Sequence, residues 1–157
     1  MDYLIRNATN ADAPAISRTI ISALRESNVQ DYSAEIIEQV AQSFSPPAIL
    51  HLLAERQVLV AVAGSHIVAT ASLDHDIVRS VFVDPRYQGK GIGRYLMERI
   101  QSLAINAGLN QLRVPSSITA ESFYASLGFE KVRDEGRSAR SSWRRHWSCS
   151  ASECREA

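Results

Sequence analysis

Cysteine is scarce in this 157-residue chain: there are two, Cys149 and Cys154, both within the last nine residues. A disulfide framework is therefore not expected to hold the fold together. With His146 the two cysteines match no usual zinc spacing, and no second ligand pair completes one, so no metal site is expected. Long apolar runs are missing too, and none approaches the roughly 20 residues that cross a bilayer. The N-terminus, Met1-Asp2-Tyr3-Leu4-Ile5-Arg6, has no basic-then-apolar leader. These absences predict a cytoplasmic protein without a membrane partner. Charge of one sign is also lacking: 17 basic residues balance 17 acidic ones, so nothing electrostatic favours nucleic acid. Finally, two phosphate-binding signatures are not there. No G-x-x-x-x-G-K-S/T run exists, and no G-x-G-x-x-G is followed about 20 positions later by an acid.

What is there is an ordinary globular composition, 45% hydrophobic and 22% charged, long enough for one domain with a real core. Its most informative stretch is Val81-Phe82-Val83-Asp84-Pro85-Arg86-Tyr87-Gln88-Gly89-Lys90-Gly91-Ile92-Gly93-Arg94. An apolar strand enters a turn, then a glycine-studded loop, then an amphipathic helix. Glycines at 89, 91 and 93 remove side chains where backbone N–H groups approach a ligand. The helix behind adds unpaired amides and the positive end of its dipole, which makes an anion site suited to phosphate.

The Gln88-x-x-Gly91-x-Gly93 spacing after a Val-Asp-Pro strand end resembles the coenzyme A loop of the GNAT superfamily of N-acetyltransferases, Q/R-x-x-G-x-G/A. Ser116-Ser117-Ile118-Thr119-Ala120-Glu121-Ser122-Phe123-Tyr124-Ala125-Ser126-Leu127-Gly128-Phe129 resembles that family's later motif, A-x-x-F/L-Y-x-x-x-G-F. The resemblance covers roughly residues 3–134 and implies an α/β fold. Its central mixed, twisted sheet would be flanked by helices, with two strands splayed at a cofactor cleft. The residues of the later motif also read on their own. Ser116 or Ser117 suits a helix cap, Ala120, Phe123 and Leu127 keep a buried-face rhythm, and Gly128 ends the helix.

Elsewhere the chain alternates in kind. A short strand over 3–6 leads to capping residues at Thr9–Asp12 and a helix with Ile16, Ile20 and Leu24 inward. A second helix is expected from Ser33 with Ile36, Ile37 and Val40 inward, and a third from Ser45-Pro46-Pro47 to about Ala54. Strands at 58–63 and 67–73 flank a Gly64-Ser65 turn. Asp74-His75-Asp76 precedes a strand over 77–83. The helix after the glycine loop carries Leu96, Ile100, Leu103 and Ala107 at helical spacing. Strands follow at 112–114 and 130–133.

The family resemblance implies acetyl transfer from acetyl-CoA to a primary amine of a small molecule or protein, in a ternary complex. Gln88, Gly89, Gly91, Gly93 and Arg94 would surround the pyrophosphate, with Lys90 and Ile92 in the same loop. Backbone groups of Val81, Phe82 and Val83 would pair with the pantetheine arm. Tyr124 would be the general acid, since a phenol is a suitable donor to a departing thiolate. Ser117 stands where relatives often carry an asparagine that contacts the cofactor; as a serine it serves equally as a helix cap. Leu112 holds the position where some relatives place a glutamate base, which leaves His75 and Asp76 as base candidates. Residues 24–54, including Tyr32 and Glu35, would roof the acceptor side. An acyl-CoA-binding module without catalysis stands as the alternative.

From Gly136 onward the pattern changes. Residues 137–157 hold five arginines against two glutamates, a local charge of +3, which leaves 12 basic and 15 acidic residues, −3, ahead of them. The expected division is a domain over 1–136 and an atypical basic segment over 137–157, with a degenerate last strand anchored by Trp143 and Trp147, or a mobile tail. An incomplete sheet edge there would favour a homodimer.

Overall fold

The computed structural model describes residues 3–27, 33–117, 120–134 and 140–146. Seven strands form one sheet: β1 (Leu4–Asn7), β2 (Gln57–Ala63), β3 (His66–Asp74), β4 (Ile77–Val83), β5 (Gln111–Ser117), β6 (Glu130–Asp134) and β7 (Arg140–His146). Their spatial order is β1-β2-β3-β4-β5-β7-β6. Every neighbouring pair is antiparallel except β4–β5, which is parallel. Five α-helices are described: α1 (Ala13–Ser27), α2 (Ala34–Gln42), α3 (Pro46–Glu55), α4 (Ile92–Asn106) and α5 (Glu121–Ser126).

The strands' two-residue alternation separates two cores. On β2, Leu59 and Ala61 join Leu96, Ile100, Leu112 and Val114, beneath α4 and α5. Val60 joins Ile16, Ile20, Ile37 and Ile49, from α1, α2 and α3. Each fully buried aliphatic side chain of this kind stabilises by about 1.5–3 kcal/mol relative to exposure. Helix starts follow local chemistry. Ser33 and Ser45 accept hydrogen bonds from Ile36 N and Ala48 N, and the prolines of α3 sit in its first turn, where no N–H is missed.

Several expectations need correcting. Ile36 faces outward, 44% exposed, while Ile37 and Ala41 are buried, one turn apart. Ala107 is the exposed C-cap of α4, and the helix's inner stripe is completed by Met97 and Ala104. Neither Ser116 nor Ser117 caps α5, whose N-cap is Ala120. Both serines are drawn into the β5–β7 ladder, opposite Ser141 and Arg140. The most buried residue of α5 is Tyr124, while Ala120, Phe123 and Leu127 are half-buried.

The C-terminal segment contributes a full strand. β7 lies between β5 and β6, and Trp143, 8% exposed, packs into the α4–α5 core. Tyr32, Trp147, Cys149 and Cys154 lie outside the described residues.

Candidate active site

The sheet opens between its two parallel strands. β4 and β5 register at Ile77 and Arg113, where Arg113 N donates to Asp76 O at 2.8 Å. Beyond that pair the register ends, so the β5-facing backbone of Val81, Phe82 and Val83 borders a gap. β4 is further deformed by a bulge. Thr70 pairs with Phe82 but Ser72 pairs with Arg79, so Ser80 and Val81 together oppose one residue of β3. Ser80 has φ +56°, a left-handed conformation uncommon for a non-glycine residue, within that bulge. Val81 and Val83 pack toward α4. Phe82 packs on the other face, edge-on to Phe44 with ring centroids 5.6 Å apart.

The C-terminal end of β4 leads into the glycine loop. Asp84, buried, accepts from Arg86 N at 2.9 Å and closes the Pro85 turn. The Arg86 guanidinium holds its carboxyl below the ordinary range. Gly91, at φ +82°, is the N-cap of α4, and a Cβ there would meet open space. Backbone amides at the start of α4 are thus uncovered toward an anion. Gly93 has a different reason: a Cβ would lie 3.2 Å from the Phe123 ring and 3.7 Å from Val83. Its lack of a side chain lets α5 close against α4 and the end of β4.

The other predicted loop residues are braced within the protein. Gln88 Nε2 donates to Val83 O at 3.3 Å. Lys90 Nζ sits 5.5 Å from the Tyr87 ring centroid. Ile92 is buried at the first position of α4, and Arg94 reaches Ser126 Oγ at 3.3 Å. Ser117 ends β5, bordering the gap by its backbone.

Tyr124 follows Phe123 into the core, packed edge-on against the rings of Phe123 and Phe129 at 5.1 and 5.7 Å. Burial pushes its pKa well above the ordinary phenol value, so the hydroxyl stays protonated across the neutral range. His75 and Asp76 stand elsewhere. They form the turn before β4, roughly 20 Å of strand from the glycine loop at about 3.3 Å per residue. His75 is 93% exposed and bonded to Asp74 at 2.9 Å. Asp76 takes Arg113 at 2.8 and 3.1 Å, and that bonding holds its pKa down. Glu35 is exposed on α2.

Between α1, α3 and the sheet lies a crevice of about 10 Å³, room for one water at most, whose apolar sides include Ile16, Ile20 and Leu52, with Thr70, Ser72 and Ser80 as its polar edge. Arg56 Nη1 donates to Ser80 Oγ at 3.3 Å. The bulge lets Val78 and Val81 both join the core cluster beneath α4 although they are three apart, which regular strand alternation forbids, and the sequence alone did not display it.

Glycine freedom, uncovered helix amides and an open strand edge together fit a phosphate-bearing, amide-bearing ligand such as coenzyme A. Known proteins point the same way. The chain is 28% identical over 139 residues, 88% of its length and 89% of the relative's, to the uncharacterized N-acetyltransferase YafP of Escherichia coli. It is 29% identical over 129 residues to an IAA acetyltransferase of Azospirillum brasilense, covering 69% of this chain and 84% of that one. The fold matches the PaiA N-acetyltransferase of Thermoplasma acidophilum, solved in complex with coenzyme A, at a TM-score of 0.84 over 94% of this chain and all of that one, with 19% identity. A family model described as an acetyltransferase (GNAT) domain matches residues 28–144, spanning the glycine loop, the tyrosine helix and nearly all of β7, and by that match the chain belongs to the GNAT acetyltransferase family.

Proposed function

We propose that the chain moves an acetyl group from acetyl-CoA to a primary amine by direct attack, with both substrates bound together. The observation that carries this reading is the β4–β5 opening, with uncovered α4 amides at one end and a buried tyrosine on the helix beside it. Bound acetyl-CoA supplies the activated thioester. Val81, Phe82 and Val83 offer backbone donors and acceptors to its amide-bearing arm. The amides from Gly89 through Arg94 and the α4 dipole receive its phosphates. Gln88 and Lys90 brace the loop through Val83 and Tyr87, and Ser117 lines the opposite strand edge.

Tyr124 donates a proton to the departing sulfur. The phenol is protonated at neutral pH, as any tyrosine is, and so carries the proton it gives. The acceptor amine, ordinarily protonated near pKa 10, enters from the α1–α3 face past Ser80. Its first proton leaves to solvent before attack, because Asp76 is held by Arg113 and His75 projects into water at the far end of β4. The second, lost from nitrogen as the C–N bond replaces the C–S bond, restores the Tyr124 phenol through solvent.

A second reading, an acyl-CoA-binding module without turnover, draws on one observation. Leu112 is buried where some relatives carry a glutamate base, and both other base candidates lie away from the opening. The two readings separate in one assay: acetyl-CoA with a panel of small amines and peptides, scored by mass for an added acetyl group. The transferase reading requires acetylated product from at least one amine class. Tight acetyl-CoA binding with no product from any class would leave the module.

A further inference from the structure

The structure assigns a second ligand site to this chain: a pocket for a small monocarboxylate behind the tyrosine helix, built around Arg145. A cavity of about 200 Å³ lies between α4, β5, β7 and the end of α5. Its polar walls are Arg94, Glu98, Gln101 and Arg145; Leu112 and Phe129 belong to its apolar lining. Among the described residues, Arg145 Nη1 is the one buried side-chain nitrogen or oxygen without a hydrogen-bond partner. An unsatisfied guanidinium nitrogen is costly, and the Arg145 side chain lines a space large enough for a small organic acid.

The surroundings are shaped to admit that guanidinium. A Cβ on Gly128 would lie 2.8 Å from Arg145 Nε, so glycine there makes room for the side chain as well as ending α5. Two cationic walls select an anion, and the planar guanidinium fork matches a carboxylate. Glu98, in the same cavity, opposes a multiply charged ion such as phosphate. Polar groups dominate the lining, so the charged head carries recognition, while Leu112 and Phe129 leave room for a short hydrocarbon body. The cavity also adjoins the proposed chemistry, because Phe129 packs edge-on against Tyr124, although the site stands without the acetyl-transfer reading.

The test is calorimetric titration of the full chain with butyrate, benzoate and inorganic phosphate at matched ionic strength, alongside thermal melts. Butyrate or benzoate is expected to bind saturably and to raise the melting temperature, with phosphate weaker. Arg145→Met should weaken that binding about 30-fold or more, as for loss of one partner of a buried charge pair. Its affinity for acetyl-CoA should stay unchanged. Gln101→Glu, on the half-buried rim of the cavity, adds a repelling carboxylate and should weaken binding even if the Arg145 variant does not fold. Absence of saturable binding by both carboxylates would overturn the site. So would unchanged carboxylate affinity in the variants, or phosphate binding that is tighter than carboxylate binding and is lost with Arg145→Met, which separates it from the α4 amides.

Discussion

Single residues decide how the cleft is lined, and the two inner glycines of the loop do so for different reasons. Gly91 is held at φ +82° with open space around its missing Cβ. Gly91→Ala is therefore expected to carry backbone strain alone, about 1–2 kcal/mol, read as a lowered urea midpoint. Gly93 has no unusual φ, but its Cβ would press on Phe123 at 3.2 Å. Gly93→Ala should displace α5, at about 1–3 kcal/mol for overpacking, and alter the near-UV signal of Phe123 and Tyr124. Gly91→Ala, which sets a methyl before the uncovered α4 amides, should instead lower acetyl-CoA affinity without that change. An unaltered near-UV signal in Gly93→Ala would mean that α5 does not rest on that contact. The sequence displayed both glycines and their spacing. It did not display the difference, because Phe123 arrives from thirty positions downstream. Tyr124 was legible as a residue type within a motif. Its burial was hidden, since the expected inward face ran through Phe123 and Leu127.

At the level of elements, the ends of helices and strands were readable wherever local chemistry sets them. Ser33, Ser45 and Pro46 mark boundaries by capping and by a missing N–H, and each lies where the sequence put it. Boundaries set by partners were not readable. β5 runs through Ser117 because β7 pairs with it, against the capping preference of its serines. The first helix shows a local link with a pH signature. Arg6 bonds to Asp12 at 2.7 and 3.0 Å, and Thr9 N donates to the same carboxylate. The Arg6 bonds, above all, bring the Asp12 pKa from 3.8 down to about 2. A depressed carboxyl pKa stabilises above the unfolded value and loses that contribution as pH falls through the folded one. Asp12→Asn should thus lower stability at neutral pH by about 1–2 kcal/mol after allowance for the half-exposed arginine. Urea titrations of parent and variant should converge as pH drops from 3.8 toward 2. A gap that persists at the acid end would assign the effect to helix capping rather than to charge.

For the molecule as a whole, the order β5-β7-β6 makes the last described strand the only tie between β6 and the rest of the sheet. Composition suggested a boundary near residue 136, because arginines and serines replace the apolar alternation there. Yet Trp143, in register opposite Val114 and buried in the core, belongs to a strand whose backbone makes two ladders. Trp143→Ala is expected to cost about 3–5 kcal/mol by emptying that core site, measured by thermal and urea unfolding. A loss within 1 kcal/mol, on the scale of ordinary surface changes, would mean that β7 is held by its ladders alone. The same topology packs α5 against β5 and β6, and the central claim of the proposed function is that its buried phenol serves the β4–β5 opening. The measurement that tests it most directly is acetyl-product formation by Tyr124→Phe and parent under saturating acetyl-CoA, with cofactor affinity titrated in the same samples. The account predicts unchanged affinity and a turnover lowered about 100-fold, within the usual range for losing a general acid. Equal turnover by the two proteins would contradict it and remove Tyr124 from the chemistry.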